Sequence, residues 1–487
     1  MMWQVPMRVI AVLVLVLAGA EAARAQTIVQ YHADAARSGR YAVPGLTQAM
    51  VSAMSAAPAL QVGIVGPVYA APLYVQAPGG RAGLVVATEQ NVLEVLDAMS
   101  GVTAWQTTLG TPVPSSSLPC GDIDPMGITG TPVIDSGTIY AAAMVLGQDS
   151  VPEQEVFALG LSDGNIRPGW PVSVGPALAA QNKRFIAANQ GQRSALSIAQ
   201  GRVFVSYAGH FGDCRFYHGW VVGIGETDPA SLSGFSTAAR GGGIWAPGGM
   251  VSDGQSLFVA TGNTMNARSW AGGEAVIRLG LDGQFSGSRQ DYFAPSNWQQ
   301  LDDEDLDLGA TNPMLIGNGY VLALGKDGNA YLMNRANLGG IGGEVAEAHV
   351  SSVPIRTSPA SFVSGGDAFI VFQGEGAGCP AGEAGDLVAL KIAPGPQISG
   401  PQISVAWCAD ENGLGAPIVT TNGTGENPIV WAVGAEGDNR LRAFSGTDGT
   451  LLYTSQPMGL VRRFQTPVVG GGRIYVAADS ALYAFDF

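Results

Sequence analysis

The chain is predicted to be all-β, an eight-bladed β-propeller of four-stranded antiparallel blades. Three observations predict this. Glycine is abundant, with 69 residues, and the apolar runs between glycines are short. One strand pattern recurs eight times along the chain. No Pro/Ser-rich linker or charged tail separates the repeats, which favours one closed ring over a string of independent sandwiches.

Taken in order, residues 1–25 read as a secretory signal. Arg8 supplies the positive start, VIAVLVLVLAGA (9–20) the apolar stretch and Ala23-Arg24-Ala25 a cleavage site. The apolar stretch is too short to span a bilayer comfortably, and no later run reaches spanning length. The mature protein is therefore expected to begin near Gln26 and to be periplasmic or secreted. Residues 26–58 are expected to form an N-terminal capping extension, and residues 59–487 the propeller.

The inner strands of the eight units are APLYV (71–75), GTPVID (130–135), RSALSI (193–198), PGGMVS (247–252), TNPMLI (311–316), TSPASF (357–362), GAPIVT (415–420) and QTPVVG (465–470). Each is followed by a continuous β-branched or aromatic run such as GLVVAT or GRIYVA, as expected of a strand buried on both faces. The eighth unit reaches Phe487 after three strands. ALQVGIVG (59–66) is the expected donor of its fourth, so that the N-terminal strand pairs with the C-terminal blade and leaves no sheet edge.

Within the first unit, NVLEVLDAMSGVTAWQTTLG (91–110) resembles the blade signature of the pyrroloquinoline-quinone (PQQ) repeat, quinoprotein alcohol dehydrogenase-like propellers. LRAFSGTDGTLLY (441–453) and KDGNAYLMNRANLGG (326–340) are weaker copies. The resemblance rests on Asp97, Gly101 and Trp105 and implies that such a Trp packs between neighbouring blades. It also implies a possible cofactor, PQQ with calcium, held over the channel between a Trp and a vicinal disulfide, with Glu, Asn and Asp on the calcium. Trp245, Asn263 and Lys326 match parts of a cofactor site, and Asp305 and Asp307 parts of a metal site. The adjacent Cys-Cys pair is missing, however. The family also contains cofactor-free members, including an outer-membrane assembly lipoprotein that acts as a docking scaffold. The resemblance therefore marks architecture more than cofactor.

Propeller geometry sorts the polar residues. Loops leading into inner strands and loops between second and third strands emerge on one face, where pockets form. AGHFGDCRFYHGW (208–220), QGQRS (190–194), CGDIDPMGI (120–128), GNTMNARSW (262–270), DDEDLDLG (302–309), Glu436 and LVRRFQ (460–465) all belong to that mouth. The same register pairs the four cysteines as Cys120–Cys214 and Cys379–Cys408, each joining adjacent blades on that face, as an oxidising compartment permits.

His210, Tyr217, His218 and Arg193 form the candidate catalytic cluster. One reading is acid/base removal of a proton alpha to a carboxylate neutralised by Arg193, as in a lyase acting on a uronic-acid polymer. The other is a disulfide-tied loop whose histidines satisfy backbone groups that an irregular segment leaves unpaired. Alternating Asp303, Asp305 and Asp307 place carboxylates on one side of a loop, as calcium requires, or form a solvated acidic loop.

The net charge of −15 argues against nucleic acid and anionic lipid as partners. The expected partner is a small-molecule, carbohydrate or protein ligand at the channel mouth, and the expected state a monomer. Three functions remain open: a binding scaffold, a PQQ-dependent oxidoreductase, and a polysaccharide lyase or other carbohydrate-active enzyme.

Overall fold

The computed structural model describes residues 27–76, 80–317, 319–393, 400–423 and 425–487. The signal segment lies outside the described residues. Eight antiparallel sheets form the ring. Blade 1 is Leu73–Gln76, Ala82–Ala87, Val92–Asp97 and Thr103–Thr108, taken from the channel outward. Blade 3 is Ser197–Ala199, Arg202–Tyr207, Trp220–Gly225 and Leu232–Ser236, and the other blades follow the same order. The middle strands are buried almost throughout, whereas the outermost strand of blade 1 exposes most of its residues. That gradient is why the second and third strands carry the continuous apolar runs and the fourth does not.

The eighth blade consists of Val468–Gly470, Arg473–Ala478 and Ala481–Asp486, completed by Leu60–Gly63. Leu60 pairs with Ala484 and Gly63 with Ala481, so the ends of the chain seal the ring in one sheet, as predicted. Trp105 also behaves as its motif implies. Its indole N–H donates to the Leu161 carbonyl of blade 2 at 2.9 Å. Gly101 sits at φ +71°, where a side chain would strain the turn that Asp97 caps through the Ser100 N–H. Trp407 repeats the device in blade 6, donating to the Gly446 carbonyl of blade 7 at 2.9 Å.

Both cystines join the predicted partners, Cys120–Cys214 and Cys379–Cys408. Among the described residues, no helix is long and apolar enough to cross a membrane.

Ahead of the closing strand, residues 28–42 run inside the ring against its inner strands. Ile28 N–H donates to Tyr74 O in blade 1, and Val29 O accepts from Ile134 N–H in blade 2. Ala35 O accepts from Ser252 N–H in blade 4, and Ser38 O from Ser361 N–H in blade 6. Arg40–Ala42 pairs in parallel with Val419–Thr421, the inner strand of blade 7. His32 meets the Thr466 hydroxyl at the foot of blade 8 at 3.1 Å. Burial and the neighbouring Arg37 charge push the His32 imidazole down to about 3, so it is neutral.

Arg37 is the centre of this segment. It is fully buried, donating to Tyr31 O, Leu196 O, Ser197 Oγ and Met250 O. Burial pushes its guanidinium down to about 10, with Asp34 opposing the shift. The ion is held chiefly by carbonyl dipoles of three parts of the chain. Arg37→Met leaves those acceptors unpaired in the core and is expected to lower stability by at least about 3 kcal/mol, at roughly 1–3 kcal/mol for each orphaned group. Chemical denaturation of the purified variant measures this. Reduction of Cys120–Cys214 is expected to cost about 2–4 kcal/mol in the same assay.

Candidate functional site

The mouth is built by loops from blades 2, 3, 4, 5, 7 and 8. Blade 3 contributes Arg193 from the loop before its inner strand, with Asp213 and Tyr217 from the long loop after Tyr207. Trp245 lies in the connection from blade 3 to blade 4, and Asn263 follows the second strand of blade 4. Asp305 and Asp307 precede blade 5, and Lys326 follows its second strand.

Asp307 organises the blade 4–5 side. One carboxylate oxygen accepts from Asn263 N–H at 2.8 Å and the other pairs with the Lys326 ammonium. Lys326 also reaches Asp305 at 3.3 Å. Burial works against the ammonium, but Asp307 and Asp305 more than offset it and hold Lys326 above its ordinary pKa. Gly262 is a glycine by necessity here, because a Cβ would lie 2.1 Å from the Asp307 carboxylate and 2.4 Å from the Trp245 ring. Beside this pair, burial reinforced by the Asp307 charge pushes Glu274 well above the usual carboxylate range. One Glu274 oxygen accepts from Leu308 N–H at 2.7 Å.

The blade 3 loop is fastened differently from a catalytic cluster. His210 is 2% exposed, with Nε2 3.1 Å from the Ala188 carbonyl, so that nitrogen carries the proton. Burial lowers its pKa. The backbone of His218 is clamped by Gln190, whose amide oxygen accepts from its N–H and whose NH2 donates to its carbonyl. Its ring packs edge-on against Phe216, and burial lowers its pKa as well. Tyr217 donates to Asp213 at 2.7 Å. Burial and the Asp213 charge hold its hydroxyl far above the ordinary range, while burial pushes Asp213 up to about 6. Among the described residues, neither histidine hydrogen-bonds Tyr217 or Arg193. The His210 ring and the His218 backbone help to hold the loop.

The predicted acidic loop is partly a helix, Trp298–Glu304, which breaks the alternation of Asp303, Asp305 and Asp307. Asp302, unremarked in the sequence, faces inward and accepts from Thr264 N–H at 2.6 Å. Asp305 ends the helix with φ +55° and is mostly exposed.

Toward blade 8, Arg463 pairs with Asp122 at 3.0 Å and Glu436 at 3.2 Å, tying blades 2, 7 and 8 across the mouth. Arg462 pairs with Asp479. Arg193 spans the mouth, its guanidinium 4.9 Å from the Phe464 ring centroid and its Nε donating to Trp245 O at 2.8 Å. Burial pushes it down to about 10, against the charge of Asp307 and Asp122. Among the described residues Arg193 has no carboxylate partner and no hydrogen bond from its terminal nitrogens. Of Lys326, Arg462, Arg463 and Arg193, Arg193 is the one without an acidic partner among the described residues.

These residues do not fit a quinone stacked on the indole or a calcium ion beside it. Trp245 is 7% exposed, donates to Gly209 O and has Tyr217 edge-on against it at 6.0 Å. Its ring is therefore almost wholly buried. The Asp307 oxygens are engaged by Asn263 N–H and Lys326, and the lysine ammonium holds the place of a cation between Asp305 and Asp307. No three His, Cys, Asp or Glu side chains among the described residues are grouped to hold a metal ion. Asn263 Oδ1 and Glu274 Oε1 are buried without partners.

Sequence reading missed Glu274, Glu89 and Glu411, buried acids flanking strands. For Glu89 and Glu274 the signal is a lone Glu beside an apolar run, whereas Glu411 follows Asp410 in a polar stretch that gives none. Glu89 accepts from Gly127 N–H at 2.7 Å, and burial pushes it up to about 7.

No protein-family model matches the chain, and no curated protein matches it. Solved structures do. The quinohemoprotein alcohol dehydrogenase from Comamonas testosteroni superimposes with TM-score 0.63 at 15% identity, over 96% of this chain and 81% of that one. A europium-containing methanol dehydrogenase gives TM-score 0.63 at 13% identity, over 95% and 98%. BamB from Moraxella catarrhalis gives 0.51 at 14% identity, over 88% and 99%. At such identities the shared property is the propeller fold.

Lys326→Met strands Asp307 in the core and is expected to cost about 3–5 kcal/mol. Adding Asp307→Asn should recover more than half of that loss in denaturant titrations. Glu89 binds its proton more tightly folded than unfolded, so stability falls as pH rises from about 4.3, the free glutamate value, to about 7. Glu89→Gln should flatten the thermal-midpoint profile across that window and be the more stable protein at pH 8, by on the order of 3 kcal/mol.

Proposed function

We propose that this chain is a binding propeller whose channel mouth receives a small ligand through a carboxylate. The observation that carries this reading is Arg193. Lys326, Arg462 and Arg463 each have acidic partners, whereas Arg193 is half-buried, braced by Trp245 O and Phe464, and keeps its terminal nitrogens free. A desolvated guanidinium without a counter-ion is a site for a planar anion, which it can bind in bidentate fashion. Its neighbours fix it in position, and of the predicted acid/base groups Tyr217 is engaged by Asp213 and the His210 ring by the Ala188 carbonyl. This favours binding over lyase chemistry, and the covered Trp245 favours it over quinone-dependent oxidation. That dehydrogenases and BamB share the ring shows how little the fold itself decides. Two cystines support an oxidising compartment, the periplasm or the medium.

Calorimetry of the mature protein with galacturonate, malate and the neutral sugar galactose tests the reading. Galacturonate or malate is expected to bind and galactose is not. Arg193→Gln is expected to weaken the carboxylate ligand at least about tenfold, roughly the loss of one charge-assisted pair. Equal binding of galactose, or an unaffected Arg193→Gln, would refute it.

A further inference from the structure

The segment from 164 to 252 departs from the acidity of the rest of the chain. It carries Arg167, Lys183, Arg184, Arg193, Arg202, Arg215 and Arg240 against Asp213, Glu226 and Asp228, within a chain of net charge −15. Arg184, Arg215 and Arg240 gather on the blade 3 rim of the mouth. The Arg184 guanidinium lies 5.4 Å from the Phe216 ring centroid, and Arg240 donates to the Arg215 carbonyl. Asn189 donates to the Phe216 carbonyl at 2.9 Å, fixing the loop from its other side. Among the described residues none of the three arginines has an ion-pair partner, and the nearest acid of the loop, Asp213, is committed to Tyr217.

Two phenyl rings stand among these cations. Phe211 is 67% exposed and Phe216 42% exposed, and Cys214 lies between them in sequence, bonded to Cys120 of the blade 2 loop. Large exposed aromatics on a loop held by a disulfide and a glutamine clamp are preorganised surface, since the ordering cost is met in the fold itself.

We propose that this rim docks an acidic polysaccharide, a chain of uronate sugars, of which one carboxylate reaches Arg193. The inference rests on the reading of Arg193 as a carboxylate site and names the ligand class. Guanidinium groups along the rim match carboxylates repeated along a polymer. The phenyl ring of Phe211 offers an apolar face to the C–H face of a sugar ring. An acidic peptide fits less well. Among the described residues the β-pairing of these loops is limited to isolated bridges, Gly191 with Ala208, His218 with Gly241 and Gly241 with Thr264, rather than a continuous strand edge for a peptide backbone. Recognition must run through side chains, to charges and rings that the ligand carries on every unit.

The test titrates the mature protein by calorimetry with galacturonate, its linear hexamer, a neutral dextran oligomer and a polyglutamate of matched charge. The hexamer is expected to bind at least about tenfold more tightly than the monomer, and to weaken as salt is raised to about 0.5 M. Arg184→Gln/Arg215→Gln should cut hexamer affinity at least about tenfold and leave monomer affinity unchanged, and Phe211→Ala should lower hexamer affinity without changing its salt dependence. A hexamer that binds no better than the monomer, or is indifferent to the double substitution, overturns the rim while leaving the Arg193 site intact. A hexamer sensitive to the rim alongside a monomer indifferent to Arg193→Gln overturns the mouth reading instead. Dextran or polyglutamate binding as tightly as the hexamer overturns the uronate assignment.

Discussion

Everything in this molecule depends on one antiparallel pairing, that of Leu60–Gly63 with Ala481–Asp486. Eight blades in an open row would expose a bare sheet edge at each end. Bringing the two termini into one sheet removes both edges, and the apolar side chains on the facing sheets then pack around the whole circle. The closure also fixes the angular position of every loop, so that Asp122 of blade 2 meets Arg463 before blade 8, and Arg193 of blade 3 meets Phe464. Mouth geometry is thus a consequence of closure.

The mouth shows how a rigid ring manages charge. Most of its ions are paired within the protein, Lys326 with Asp307 and Arg463 with Glu436, and the pairs hold loops from different blades at fixed distances. Such pairs, partly withdrawn from water, contribute position more than stability. Against this background an unpaired cation carries meaning, and that is why Arg193 draws more functional weight than the histidines that first attract the eye.

Much of the ring was legible in the sequence because its signal is periodic. Runs such as GLVVAT and GRVFVS are buried on both faces and announce themselves, and once the blades are in register the face of each loop follows. The cystine pairings followed from that register. What was not legible is what depends on direction within a loop. HFGDCRFYH does not say that His210 turns toward the Ala188 carbonyl, and DDEDLD looks alternating although a helical turn carries Asp302 inward and leaves Asp305 outside. Residues 28–42 were unreadable for another reason. They have no period, because what holds them is backbone hydrogen bonds and Arg37 reaching strands some hundreds of residues away.

That inner segment has a consequence for biogenesis. Translation delivers residues 28–63 ahead of the blades, yet their partners extend from blade 1 to Ala481–Asp486 of blade 8. This segment therefore completes its contacts last, after the blades that follow it have emerged. Until then blades can form only from local hairpins, while the segment destined for the channel waits unpaired. Premature closure is prevented by the topology itself: the ring cannot be sealed until Ala481–Asp486 is present to pair with Leu60–Gly63.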